Sequence, residues 1–196
     1  MRTRSGESVG LIEVLDEAVE RARAQVEEKN PDLPEGEKQT VAEVVGIGAV
    51  KYAELSQFRM TDYVFAWDKM LALTGNTAPY LQYSYVRTRS IFRRLGDDAP
   101  ALSGEIELAA AEEIELAKKL AQFAEIVPDV LHDHRPNLLA AYLLEVAKAY
   151  HSFFEACPVL RAEGAQRNTR LILCEVASRV LRRGLDLMGI AVTERM

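Results

Sequence analysis

Apolar positions recur along this chain at three- and four-residue intervals, in blocks separated by prolines, glycines and acidic turns. The spacing predicts a helix over 11–29, with Leu11, Val14, Leu15, Ala18, Val19 and Ala22 on one side and Glu and Arg on the other. Pro31, Pro34 and Gly36 end it, because proline cannot continue the hydrogen-bond ladder. Thr40-Val41-Ala42-Glu43 has the form of a capping box and predicts a second helix over 40–57. Gly46 and Gly48 inside that helix each cost about 1 kcal/mol relative to Ala, which a close approach of another backbone would explain. From Phe58 to Phe65 the pattern turns aromatic and strand-like, and Asp68 then caps a short helix at Trp67-Asp68-Lys69-Met70-Leu71.

Residues 77–95 follow as a helix N-capped by Thr77, with Pro79 in the first turn. At about 100° per residue, Leu81, Tyr85, Thr88, Phe92 and Leu95 form its buried stripe. Tyr80, Tyr83, Arg87, Ser90 and Arg94 line up on the opposite side. Ser103 then predicts a helix over 104–124 with an acidic start, suited to the helix dipole. Pro128 to His134 reads as a short helical turn. Pro136 opens a long helix over 137–156, with Leu139, Tyr142, Leu143, Val146, Ala149, Tyr150 and Phe153 inward. Glu145, Lys148, His151 and Glu155 take its other side. The last helix, 165–188, buries Leu171, Leu173, Val176, Val180, Leu181 and Leu185, with Gly189 as its C-cap. The fold class is therefore all-α. An antiparallel helical bundle over 76–196 follows a mostly helical segment with a short extended stretch.

Composition adds limits. At 196 residues, with 48% hydrophobic and 28% charged residues, the chain can bury a real core. No apolar run approaches the roughly 20 residues that span a bilayer, and residues 1–20 lack a signal peptide's apolar stretch, so a cytoplasmic protein is expected. Cys157 and Cys174 lie inside apolar helical patterns and read as reduced core residues without metal-ligand spacing. The net charge of −6 argues against a protein that coats nucleic acid indiscriminately. The charge is uneven, however. Residues 1–75 carry 9 Lys+Arg against 14 Asp+Glu, and residues 76–196 carry 15 against 16, with 12 of those 15 cations Arg.

Catalytic constellations are thin. His132-Asp133-His134 is the only His cluster, and positions i and i+2 do not share a helix face, so a polar turn is the expectation over a metal pair. There is no P-loop, nucleophile elbow or His-Glu-x-x-His, and Gly46-Ile47-Gly48 sits inside a predicted helix. The outer side of helix 77–95 is more informative, because two tyrosine rings and two guanidinium groups suit stacking on unpaired bases and gripping phosphate. A half-buried Tyr and a surface Arg are also ordinary in a helical bundle, and both readings stay open.

Three blocks carry a family resemblance: Ala49-Val50-Lys51-Tyr52-Ala53-Glu54-Leu55-Ser56, Thr61-Asp62-Tyr63-Val64-Phe65-Ala66-Trp67-Asp68-Lys69-Met70-Leu71, and Gly75-Asn76-Thr77-Ala78-Pro79-Tyr80-Leu81-Gln82-Tyr83. With Gly184-Leu185-Asp186-Leu187-Met188-Gly189-Ile190 and the terminal Glu194-Arg195-Met196, they resemble the C-terminal part of arginyl-tRNA synthetase, a class I aminoacyl-tRNA synthetase. The resemblance implies a boundary near residue 75. Residues 1–75 would be the tail of the catalytic region, and residues 76–196 an anticodon-binding bundle of the DALR kind.

It also implies site residues. Met1-Arg2-Thr3-Arg4-Ser5-Gly6 looks like a degenerate Lys-Met-Ser-Lys-Ser loop, giving Arg2, Arg4 and Ser5 as an ATP-phosphate loop, although the pattern is far from that signature. Tyr80 matches a tyrosine that touches the anticodon region, and Met196 matches a C-terminal Met that packs there. Phe154 occupies a position often filled by Tyr, and it could equally be core. Tyr83, Arg87 and Arg94 join this tRNA-binding set from the helix pattern alone. The Arg179/Arg182/Arg183 cluster reads as a solvated, partly Glu-paired face or as a contact to the RNA backbone.

The partner expected is arginine tRNA, through its anticodon stem-loop, with no DNA, no membrane and a monomeric chain. ATP and Mg belong to the full enzyme and no cofactor to this chain, which would not aminoacylate alone and so contains no catalytic residue. The alternative is a free-standing helical adaptor, or a tRNA-binding fragment without a catalytic role.

Overall fold

The computed structural model describes residues 10–62, 64–96, 103 and 105–196. The proposed phosphate loop, Arg2, Arg4 and Ser5, lies outside the described residues. Among those described are eight helices and no strand: α1 (Leu11–Lys29), α2 (Glu35–Leu55), α3 (Trp67–Met70), α4 (Ala78–Leu95), α5 (Ala111–Ala121), α6 (Phe123–Asp133), α7 (Pro136–Ala156) and α8 (Gly164–Leu187). The all-α expectation holds.

α1 and α2 form a hairpin with its own apolar seam of Ala22, Val26, Val41, Ala42, Val45 and Ala49, closed at one end by Met70 and Leu71. At Gly46 the backbone of α1 comes close. A Cβ there would lie 2.6 Å from the Ala18 carbonyl oxygen and 2.8 Å from the Val19 Cα, so the backbone contact expected for this glycine is present. Gly48 differs, since its space is taken by the Gln82 side chain, 2.8 Å from the same imagined Cβ.

The larger core gathers α4, α5, α7 and α8 around Leu81, Tyr85, Leu116, Leu143, Phe153 and Leu181. Tyr52 of α2 reaches this core, and its hydroxyl donates to Asn76 Oδ1 at 2.7 Å and to the Ala140 carbonyl at 3.2 Å. Inside the bundle, Glu113 accepts from Arg170 Nε at 2.7 Å and from the Ala109 and Ala110 N–H groups at 2.8 and 3.0 Å. One carboxylate thus caps α5 and ties it to α8.

Several boundaries differ from the periodicity reading. α2 begins at Glu35, with Pro34 at its N-cap, and Thr40 is an interior residue whose hydroxyl donates to the Gly36 carbonyl at 2.9 Å. The early start places Lys38 against Glu27 and Glu35, and this favours helix through Gly36. α3 is capped by Ala66, with Asp68 in the first turn. α5 begins at Ala111 rather than after Ser103, because Glu113 supplies the cap from three residues inside. Around it, residues 105–109 are irregular, and the Ser103 carbonyl accepts from Asn168 Nδ2. α6 begins at Phe123, five residues before the short turn expected from Pro128, and passes through that proline. Val176, assigned to the core, is exposed on α8.

Candidate nucleic-acid interface

α4 is held at its start by Thr77, whose hydroxyl oxygen accepts from the Tyr80 N–H at 3.2 Å and donates to the Ala72 carbonyl at 2.6 Å. From that fixed origin the helix presents its faces as the spacing requires. Leu81, Tyr85 and Thr88 are fully buried, and Phe92 and Leu95 are half-buried at the far end. On the other side Tyr80 and Arg87 are half-buried, Tyr83 is 39% exposed and Arg94 is exposed.

The structure joins Arg87 to Tyr83 and Phe154. The Arg87 guanidinium carbon stands 4.3 Å from the centre of the Phe154 ring on α7 and 5.8 Å from that of Tyr83. Phe154 is half-buried, backed by Tyr150 at 6.1 Å between ring centres. It is therefore both core edge and surface platform.

Arg87 Nη1 also lies 2.8 Å from His151 Nδ1. A guanidinium can only donate, so His151 Nδ1 accepts and the ring proton sits on Nε2, facing Glu155 Oε1 at 3.2 Å. Sequence reading assigned His151 to the polar side of its helix without a role. Its i, i+3 and i, i+4 relations to Phe154 and Glu155 were visible, but the partner 64 residues away was not. Tyr80 borders this patch. Burial raises its hydroxyl above the usual 10.0, while the positive Lys148 and Arg87 pull the other way.

Tyr83 also lines a cleft of about 450 Å³ with Met196, Leu73, the α1 side chains Gln25 and Lys29, and Asn30 just past the end of α1. The terminal methionine and the tyrosine, 113 positions apart in sequence, thus share one recess. Arg94 stands apart from both groups, two turns beyond Arg87 towards the end of α4. In the α8 cluster, Arg179 pairs with Glu175 at 2.8 Å and Arg183 with Asp186 at 2.7 Å, which leaves Arg182 as the exposed cation without such a pair among the described residues.

Burial raises both thiols, that of Cys174 to about 12, so neither is a thiolate at neutral pH. His132 bonds its neighbour Asp133 on an exposed turn, and His134 ends α6 in the left-handed conformation at φ 52°. Among the described residues no three His, Cys, Asp or Glu side chains gather as a metal site, and no helix is long and apolar enough to cross a membrane.

On this helical bundle an aromatic and guanidinium patch lies beside an open cleft, which brings planar stacking surface and positive charge together. Residues 81–196 match the DALR anticodon binding domain, and residues 1–67 match the class I (R) tRNA synthetase catalytic domain. The chain belongs to the arginyl-tRNA synthetase family, with the DALR domain as its C-terminal part. It is 51% identical over its whole length to the arginine–tRNA ligases of Sodalis glossinidius and Pseudomonas fluorescens, covering 34% of each. Among solved structures it is similar to the Thermus thermophilus arginyl-tRNA synthetase, with a TM-score of 0.88 and 36% identity over 96% of this chain and 32% of that one. The Plasmodium falciparum arginyl-tRNA synthetase gives a TM-score of 0.84 at 27% identity, over 96% of this chain and 34% of that one. The chain spans about a third of the length of the curated relatives it matches.

Proposed function

We propose that this chain is the tRNA-docking part of an arginine–tRNA ligase and that it recognises the anticodon stem-loop of arginine tRNA. Residues 76–196 form the recognition bundle, and residues 1–75 connect it to a catalytic half. The observation that carries the reading is the Arg87 guanidinium held over Phe154 and beside Tyr83, bordering the cleft that Tyr83 shares with Met196. Planar rings and a planar cation stack on unpaired bases whatever their identity, while Arg and Lys groups nearby neutralise phosphates. In this reading Tyr80, Tyr83, Phe154 and Met196 meet bases, and Arg87 and Arg94 meet base faces and backbone.

In the whole ligase, docking aims the acceptor end of the tRNA at a site that uses ATP and Mg. The protein acts as a cytoplasmic monomer and binds neither DNA nor membrane. Likeness to full-length ligases along the entire chain favours this reading over a free-standing adaptor.

A titration of the purified chain with arginine tRNA and with a second tRNA at low salt tests it. The expected result is weak, salt-sensitive binding that prefers arginine tRNA, without ATP–pyrophosphate exchange. Equal affinity for both tRNAs would sink the recognition claim, and measurable exchange would sink the assignment of catalysis to another part of the protein.

A further inference from the structure

The segment after α8, residues 189–196, has no regular secondary structure, yet it is bonded along its length to two helices. Lys51 Nζ donates to the Gly189 carbonyl at 2.6 Å, and Gln82 Nε2 donates to the Ala191 carbonyl at 2.9 Å. Further along, Tyr85 donates its hydroxyl proton to Glu194 Oε1 at 2.7 Å, Arg89 Nε reaches Glu194 Oε2 at 3.4 Å, and Arg93 Nη1 donates to the Glu194 carbonyl. Gln82, Tyr85, Arg89 and Arg93 are spaced i, i+3, i+7 and i+11, a single stripe of α4 distinct from the Tyr80–Tyr83–Arg87 edge.

Glu194 is the centre of this arrangement. Burial pushes its carboxyl up, but the Tyr85 hydrogen bond and the charges of Arg89 and Arg93 outweigh burial and hold it below the ordinary 4.5. Arg89 is itself fixed by Glu175 of α8 at 3.1 Å. Just beyond Glu194 the chain turns, with the Thr193 hydroxyl donating to the Arg195 carbonyl at 2.6 Å, and Met196 enters the cleft beside Tyr83. Met188 and Ile190 are buried in the larger core at the end of α8, and Val192 and Met196 pack half-buried against it.

We propose that Glu194 is a positioning residue for RNA binding: clasped by Tyr85, Arg89 and Arg93, it fixes the chain terminus so that Met196 completes the cleft next to Tyr83. This rests on the RNA-docking reading above. One edge of α4 meets the ligand, and the adjacent edge holds in place the terminal residue that meets it too. Glu194 acts only through Met196.

The test uses the full chain with Glu194→Ala, Glu194→Gln, Met196→Ala, Tyr83→Ala and the double variant Glu194→Ala/Met196→Ala. Three readouts are taken: the ¹³C-methyl resonance of Met196, the affinity for arginine tRNA, and the unfolding midpoint. Glu194→Ala is expected to move the Met196 methyl towards its random-coil position with little change in the midpoint. It should weaken tRNA binding by the same factor as Met196→Ala, about five-fold, and the double variant should be no weaker than either single one. Glu194→Gln keeps an acceptor for Tyr85 and loses the ionic attraction, so it should fall between wild type and Glu194→Ala. An unmoved methyl resonance in Glu194→Ala, or losses that multiply in the double variant, would overturn the proposal. If the methyl moves while neither Met196→Ala nor Tyr83→Ala weakens RNA binding, the clasp stands and the RNA-docking reading is what fails.

Discussion

The guanidinium of Arg87 and the ring of Phe154 face each other across α4 and α7 at 4.3 Å, and His151 fixes the guanidinium from the side. Lysine keeps the charge of arginine but cannot present a planar surface or hold the His151 nitrogen in the same geometry. Arg87→Lys should therefore weaken tRNA binding about ten-fold while the fold stays intact. Phe154→Tyr should be nearly silent, because stacking survives. Phe154→Ala and Arg87→Lys should be strongly non-additive in a double-mutant cycle, since each removes half of one platform. Independent losses in that cycle would mean the pair does not work as a unit.

A second prediction concerns the crossing of α1 and α2. A methyl group on Gly46 would meet the Ala18 carbonyl oxygen at 2.6 Å and the Val19 Cα at 2.8 Å, and both are backbone atoms of another helix. No side-chain rotation relieves that contact. Gly46→Ala should lower stability by roughly 1–3 kcal/mol despite the better helix propensity of alanine, as read by urea unfolding. Gly36, near the start of α2, has nothing within 4 Å of its imagined Cβ, so Gly36→Ala should be neutral or stabilising and serves as the control.

Helix existence and inner faces were legible wherever a periodic stripe met a strong local signal. α1 has the bounds its pattern predicts, and Thr77 caps α4 as a local rule would have it. Where the structure departs, the decisive partner lies elsewhere in the fold. The start of α2 is set by Lys38 reaching Glu27 on another helix, and the start of α5 by Glu113, itself anchored on Arg170. The candidate interface divides the same way. Tyr83 and Arg87 fall on one face by spacing alone, whereas the His151 contact and the Glu194 clasp join residues 64 and 109 positions apart, beyond the reach of any local pattern.

The third prediction follows from Glu113. Burial pushes its carboxyl up, but the Ala110 N–H, the Arg170 guanidinium and the Ala109 N–H together hold it below its ordinary 4.5. Because the folded state keeps the proton off more readily than the unfolded chain, this contribution to stability is complete above about pH 4.5 and is lost as pH falls through the folded value. Glu113→Gln should destabilise at pH 7 by on the order of 2 kcal/mol, since Arg170 loses its counter-charge. It should also flatten the acid limb of a stability-versus-pH curve relative to wild type. An unchanged acid slope would remove Glu113 from the account of acid unfolding.

The last prediction separates phosphate contact from base stacking on a single helix. Arg94 is exposed near the end of α4, with no bond to another side chain among the described residues, so it can meet a backbone phosphate as a mobile charge. Tyr83 has no charge to offer and lines the cleft with Met196. Contacts to phosphate release counterions and steepen the dependence of affinity on salt, whereas stacking does not. Arg94→Gln should lower affinity for cognate and non-cognate tRNA alike and reduce the slope of log K against log salt by roughly 0.7–0.9. Tyr83→Ala should leave that slope unchanged and weaken cognate binding by a factor equivalent to about 1–3 kcal/mol. Titrations of both variants at four or five salt concentrations decide between the roles. If Arg94→Gln leaves the slope untouched, Arg94 lies outside the phosphate path and the RNA-facing surface ends at Arg87.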